Sequence, residues 1–378
     1  MKTKKDLSLY IHIPFCMQKC KYCDFLSFSS TEEGRNSYLK ELKRELVRKS
    51  QWAEQHQVIS IFFGGGTPSI LKGEQIYEIM DTIRSHFHMT KDTEITIEAN
   101  PGTLSEEKLN WYQKSGINRL SMGLQSTKNE ELKMLGRIHT YEELEHNYHL
   151  ARSCGFSNIN IDLMSALPGQ TIESYRETLE TVAVLEPEHI SAYSLIVEEG
   201  TPLAEDDALL DRIPDEDTDR QMYQLTKELL KTYGYDRYEI SNYAKEGFAC
   251  RHNCVYWTGG DYLGFGLGAS SYFEGRRFVN PSKMSQYTGE CKPQDVEELS
   301  LKDQMEEFMF LGLRMTKGIS EKEFFDKFGQ KMEAVYGEIL KKQAEEGLIL
   351  RKNSQIQLTE KGLDVSNYVF CDYLIDYE

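Results

Sequence analysis

Three cysteines stand within eight residues near the N-terminus, in the stretch YIHIPFCMQKCKYCDF: Cys16, Cys20 and Cys23. Thiolates are soft ligands, suited to zinc or to iron–sulfur clusters. A closed tetrahedral zinc shell needs a second C-x-x-C pair or histidines, whereas the other cysteines (Cys154, Cys250, Cys254, Cys291 and Cys371) are scattered along the chain. A C-x3-C-x2-C loop can give one thiolate to each of three irons of a cubane, leaving the fourth iron without the fourth cysteine that most clusters have. An open iron of that kind can chelate a small molecule through an amine and a carboxylate. On the cysteines alone, a 4Fe-4S cluster leads and zinc is the alternative.

A site of this kind has to be held at the ends of regular elements. Short β-branched, apolar runs at 8–13, 58–63, 94–99, 117–124, 158–164 and 189–196 alternate with helical patterns at about 31–52, 73–87, 105–114, 128–136, 141–153 and 171–185. Repeated strand–helix alternation predicts an α/β fold, a partial (β/α) barrel of about six parallel strands with crossover helices. Chemistry in such barrels sits at the C-terminal ends of the strands. The unusual residues fall there: the cysteine loop after the first strand, GGGTPS (64–69) after the second and NPG (100–102) after the third. Gln125 follows the fourth, and Asp162 lies near the end of the fifth, ahead of LPGQ (167–170). Glycines in GGGTPS let the backbone approach a bound ligand where a side chain would clash.

The chain has 378 residues, enough for one large domain and one smaller one. We expect a barrel over 1–235, a less regular extension over 236–298 and a C-terminal winged-helix-like domain over 299–378, with helices at 301–316, 320–328 and 332–347, a hairpin (348–353 and 355–358) and a final helix from 359. A formal charge of −17 argues against nucleic acid, and the C-terminal segment is itself acidic, so it reads as a docking or lid domain. No run is apolar enough for a signal peptide or a transmembrane span, which points to the cytoplasm, where thiols stay reduced.

The cysteine loop with Tyr22, followed by GGGTPS, resembles the radical S-adenosylmethionine (SAM) superfamily. That resemblance implies that a reduced 4Fe-4S cluster on Cys16, Cys20 and Cys23 cleaves SAM to methionine and a 5′-deoxyadenosyl radical. The run YIHIPFC, GGGTPS, ExNP, LQS, LGRxH, IDLMxxLPGQ and GFGLGASS is similar, over nearly the whole chain, to the oxygen-independent coproporphyrinogen III oxidase family. It implies SAM contacts at Tyr10, Tyr22, Gly65, Gly66, Thr67, Glu98, Gln125, Arg137 and Asp162. Arg137 suits a carboxylate, while Glu98 and Asp162 can accept from hydroxyl or amino groups. His12 reads as structural and His139 as a support for Arg137.

Two departures separate the chain from the oxidase: Phe25 stands where the oxidase has a further cysteine, and only about ten residues precede the first motif. Both resemble the HemW-type haem chaperone branch, as does HNCVYW (252–257), which fits a haem-associated H-N-x-x-Y-W pattern. The resemblance implies haem as a third cofactor, with His252 its axial ligand; Cys254, at an x position, is left out. It also implies haem-acceptor proteins, respiratory ones among them, as partners. Three functions therefore stay open: haem delivery without decarboxylation, which leads; radical decarboxylation of coproporphyrinogen III; and radical SAM chemistry on some other substrate. A homodimer, peripheral membrane association and the mode of haem attachment are left undecided by sequence.

Overall fold

Alternation of polar and apolar residues gives the central strands two chemically different faces. In the computed structural model, which describes residues 4–289 and 291–374, six strands lie side by side in chain order and run parallel. They are β1 (Lys5–Ile13), β2 (His56–Gly65), β3 (Met89–Ala99), β4 (Arg119–Gln125), β5 (Ile159–Ser165) and β6 (His189–Ser194). Leu9, Ile11, Ile61, Ile97, Leu120 and Ile161 are wholly buried in one apolar core against the crossover helices. The alternate positions, among them Ser8, Tyr10, Ser60, Glu98, Arg119 and Asp162, share the opposite face, because successive side chains of a strand point to opposite sides. A parallel sheet buried on both faces ordinarily reads as a continuous apolar run. A polar inner face therefore marks a lumen built to hold something.

Helices Glu32–Lys49, Gly73–His86, Glu106–Lys114, Asn129–Met134, Tyr141–Ser153 and Ile172–Val184 stand close to the sequence expectation. Thr31, Ser105, Thr140 and Thr171 accept a backbone N–H at their first turns, caps whose loss costs about 1 kcal/mol each. The first strand begins at Lys5, three residues before the expected Ser8.

The segment expected to be irregular extends the same sheet. Beyond β6 lie β8 (Asn242–Ala244) and β7 (Asp236–Arg237); beyond β1 lie β9 (Tyr262–Phe265), β10 (Ser270–Phe273), β11 (Arg276–Val279) and β12 (Gln294–Glu298). Only β9 joins its neighbour in parallel, through Ser8↔Tyr262 to Ile11↔Phe265. Between the two groups, HNCVYW forms a short helix, Arg251–Trp257.

The C-terminal part has a second core, around Met309, Leu313, Phe324, Tyr336 and Ile356, built from helices Leu301–Gly312, Glu321–Phe328 and Met332–Glu345. The expected hairpin, Ile349–Lys352 with Gln355–Leu358, gains a third strand, Ile319–Ser320. The single helix expected from 359 is two, Glu360–Asp364 and Ser366–Cys371, separated at Val365. Positions 1–3 and 375–378 of the expected outer domains lie outside the described residues. Among the described residues no helix is long and apolar enough to cross a membrane.

Candidate functional site

The cysteine loop folds over the C-terminal ends of the strands. Cys16 N–H donates to Phe28 O at 3.1 Å, Cys23 N–H to Cys20 O at 3.3 Å, and Lys21 N–H to Leu135 O at 2.9 Å. The glycines of GGGTPS have a reason internal to the chain. A Cβ on Gly66 would meet Phe15 O at 2.7 Å and Phe15 N at 2.9 Å, and Gly65 holds a φ of +109°. Gly66 N–H and Thr67 N–H then donate to Ile13 O and Phe15 O, at 2.9 and 2.8 Å, tying the second loop to the first.

All three thiols border a chamber of about 140 Å³ at the barrel mouth, with Tyr22, Gly65, Gly66, Thr67, Glu98, Gln125, Arg137 and Asp162. Thr67 Oγ1 lies 3.6 Å from Cys16 Sγ, and Arg137 Nη1 lies 3.6 Å from Cys20 Sγ. Arg137 also donates to Asn100 Oδ1 at 3.2 Å and to Gly123 O, while its Nε has no partner. Gln125 sits at φ +79°, a strained conformation for a residue with a side chain, and accepts from Tyr193 Oη at 3.2 Å. Burial, and next the nearby Asp162, push the Glu98 carboxyl up to about 8. Asp162 is raised too, by burial, against hydrogen bonding from Asn160 and Ser191. His139 is buried behind Arg137 and lowered to about 3, by burial and then by that guanidinium.

Below this chamber lies the lumen, a cavity of about 490 Å³. Tyr10 borders the lumen and not the outer chamber, alone among the nine expected SAM contacts; its hydroxyl is 3.1 Å from His12 Nδ1. His12 Nε2 bonds Leu26 O at 2.9 Å, in the structural part expected of it. The helix Arg251–Trp257 closes the N-terminal end as a floor. Its first amides donate to the Glu94 carboxylate, from Arg251 N and His252 N at 3.1 Å each, so a strand side chain caps the helix. His252 is 1% exposed and its ring stacks on Phe62, with centroids 5.1 Å apart. Both ring nitrogens are engaged, Nδ1 with Ser60 Oγ and Nε2 with Tyr256 Oη, at 2.9 Å each. Burial, then the Arg119 charge, lower the imidazole to about 3, so it is neutral, the form that binds metals.

Residues 10–182 match the Radical SAM superfamily, and residues 299–365 match the HemN C-terminal domain. A Bacillus subtilis protein named "Heme chaperone HemW" is 38% identical over 376 residues, covering 97% of this chain and 99% of its own. The chain belongs to the HemW family. A Lactococcus lactis member with the same name is 36% identical over 377 residues, covering 99% of this chain and 98% of its own. The structure of Escherichia coli HemN, described as a coproporphyrinogen III oxidase and radical SAM enzyme, superposes with a TM-score of 0.85 at 25% identity, covering 98% of this chain and 90% of that one.

Radical SAM membership brings a 4Fe-4S cluster and SAM with it, and the residues of this HemW-family chain fit both. The donor set is three soft thiols on one chamber wall, with Thr67 and Arg137 directed at two of the sulfurs. Among the described residues no three His, Cys, Asp or Glu side chains are grouped to hold a single metal ion. For SAM, the chamber offers a buried guanidinium with an orphaned Nε beside two buried carboxyls. Haem fits less readily: the lumen has aromatic walls, but His252 Nε2 is free only when Tyr256 turns away. Asn100, named in the sequence only as part of the NPG turn, and Tyr193, which no motif singles out, both border the outer chamber. The polar–apolar alternation of EITIEAN and HISAYS was the available signal.

Proposed function

We propose that this chain is a haem chaperone: it holds a 4Fe-4S cluster on Cys16, Cys20 and Cys23, binds SAM in the outer chamber, binds haem, and passes haem to proteins that require it, respiratory ones among them. The observation that carries the reading is the end-to-end match to relatives named heme chaperones, 97% of this chain against 99% of the Bacillus protein. Phe25, 64% exposed at the chamber rim where the oxidase resemblance leads one to expect a cysteine, agrees with it.

When bound, the cluster supplies an electron for reductive cleavage of the SAM sulfonium. The chain's own residues do the positioning. Arg137 receives the carboxylate through paired N–H donors. Glu98, its carboxyl pushed up by burial and then by Asp162, accepts from Gly65 N–H at 3.2 Å and keeps its other oxygen for the ligand's hydroxyl or amino groups. Gln125 is locked by its backbone and by Tyr193. His252 is the haem ligand in this reading, reached when Tyr256 releases Nε2.

The likeness to HemN over 98% of the chain supports a second reading, oxygen-independent coproporphyrinogen III oxidase. One pair of assays separates them. The reconstituted protein, kept anaerobic with SAM and a reductant, should leave coproporphyrinogen III unchanged. Haem added to the same preparation should give a saturable Soret shift and then move to an apo-haemoprotein. Protoporphyrinogen formation at catalytic rates would replace the first reading by the second.

A further inference from the structure

Arg119 stands at the start of β4, 1% exposed, on the wall of the lumen. Among the described residues its guanidinium makes no hydrogen bond and no ion pair, and its Nε is buried without a partner. The other shielded arginines are engaged: Arg152 with Glu188 and Tyr148, Arg237 with Glu360 and Tyr223, Arg137 with Asn100 and Gly123. Burial disfavours the Arg119 charge, and Cys250, Glu94, Tyr238 and Asp162 offset that from a distance without bonding it; the hydrogen-bonding capacity that stays unused calls for an explanation.

The acids around Arg119 are occupied elsewhere. Glu94 accepts from the amides of the floor helix, and Asp162 accepts from Asn160 Nδ2 at 2.7 Å. The rest of the lower lumen is neutral or aromatic, with Asn242, Asn253, Ser191, Phe62, Tyr10 and Tyr256. We infer that Arg119 receives a carboxylate of the lumen's occupant, and that this occupant is an aromatic acid, a porphyrin seated by a propionate. The inference rests on the haem reading and adds the group that orients the ligand. SAM also carries a carboxylate, but the outer chamber is bordered by Arg137 and not by Arg119. A more highly charged anion such as a phosphate would meet Asp24, Glu98, Asp162 and Glu198, which line the same cavity. The single charge of a carboxylate matches one planar guanidinium fork.

The test is a haem titration, read at the Soret band, on the cluster-loaded full chain as wild type, Arg119→Met and Arg119→Lys, repeated with haem dimethyl ester. Haem should bind Arg119→Met about 10–100-fold more weakly, with Arg119→Lys in between. The ester, lacking free carboxylates, should bind wild type and Arg119→Met alike. SAM affinity should stay within about twofold throughout. Equal haem affinity in wild type and Arg119→Met overturns the inference and leaves the haem reading standing. So does an equal loss for haem and ester, or a loss of SAM binding. A wild type that binds no haem overturns both. If Arg119→Met does not fold, Arg119→Lys carries the same comparison, because it keeps the charge and loses the fork.

Discussion

The two chambers of this barrel hold their arginines in opposite ways. At the mouth, Arg137 is braced by Asn100, Gly123 and Tyr22 and aimed beside Cys20. In the lumen, Arg119 is braced by nothing that bonds it, while His252, on the floor, is bonded at both ring nitrogens. A pre-braced group keeps its geometry before the ligand arrives, which lowers the ordering cost of binding. An unbraced charge and a closed imidazole instead describe a pocket that must rearrange for its occupant. In the proposed reading, the mouth would hold its ligand in a preset geometry and the lumen would adjust to its own.

The largest expected effect separates the chambers outright. Cys20→Ala should abolish the visible absorbance of the reconstituted cluster, since two thiolates hold a cubane poorly, yet leave haem affinity within a few-fold of wild type. If haem binding disappears as well, the chambers are one site. Next, Arg137→Met should weaken SAM binding by about 10–100-fold, measured by equilibrium dialysis, and leave the haem titration unmoved. A haem effect of the same size would contradict the division of labour between the two arginines.

His252→Ala removes a packed ring and two hydrogen bonds, so it should cost about 2–4 kcal/mol in denaturant unfolding as well as the Soret shift. Tyr256→Phe is the sharper variant. It should cost only about 1 kcal/mol but free Nε2, so haem affinity should rise; a fall would mean that His252 is a strut and not a ligand.

The smallest effect concerns pH. The Glu98 carboxyl titrates near 8 when folded, against 4.5 in the ordinary group. Between those values the unfolded chain has lost the proton that the folded chain keeps, so this group's contribution to stability falls as pH rises through the window. Glu98→Gln lacks the term. Its stability relative to wild type should therefore increase from pH 5 to pH 8, by on the order of 1 kcal/mol or more, and a pH-independent difference would show that Glu98 is ionised throughout.

Much of the outer chamber was legible in the sequence because it is made of loops with unusual residues at fixed places after strands. The cysteine trio, the glycine tract, Gln125 and Asp162 announce themselves that way, Arg137 came only from the family resemblance at LGRIH, and the barrel places them together. The lumen was harder to read. Strands β7 to β12 are two to five residues long, too short to establish a period. The floor helix is seven residues long and is capped by Glu94, more than 150 positions away, so no local capping signal precedes it. Arg119 stands in the INRLSMGL run as an ordinary polar position. Only the fold shows that its guanidinium lines the lumen and that the nearby Glu94 and Asp162 act on it without bonding it.

Phe25 borders both cavities and is 64% exposed. It shares that place with Tyr22, Cys23 and Tyr193, so the two cavities are separated by a party wall of side chains and not by backbone. The position that carries no thiol is thus a side chain whose size sets the shape of both volumes at once.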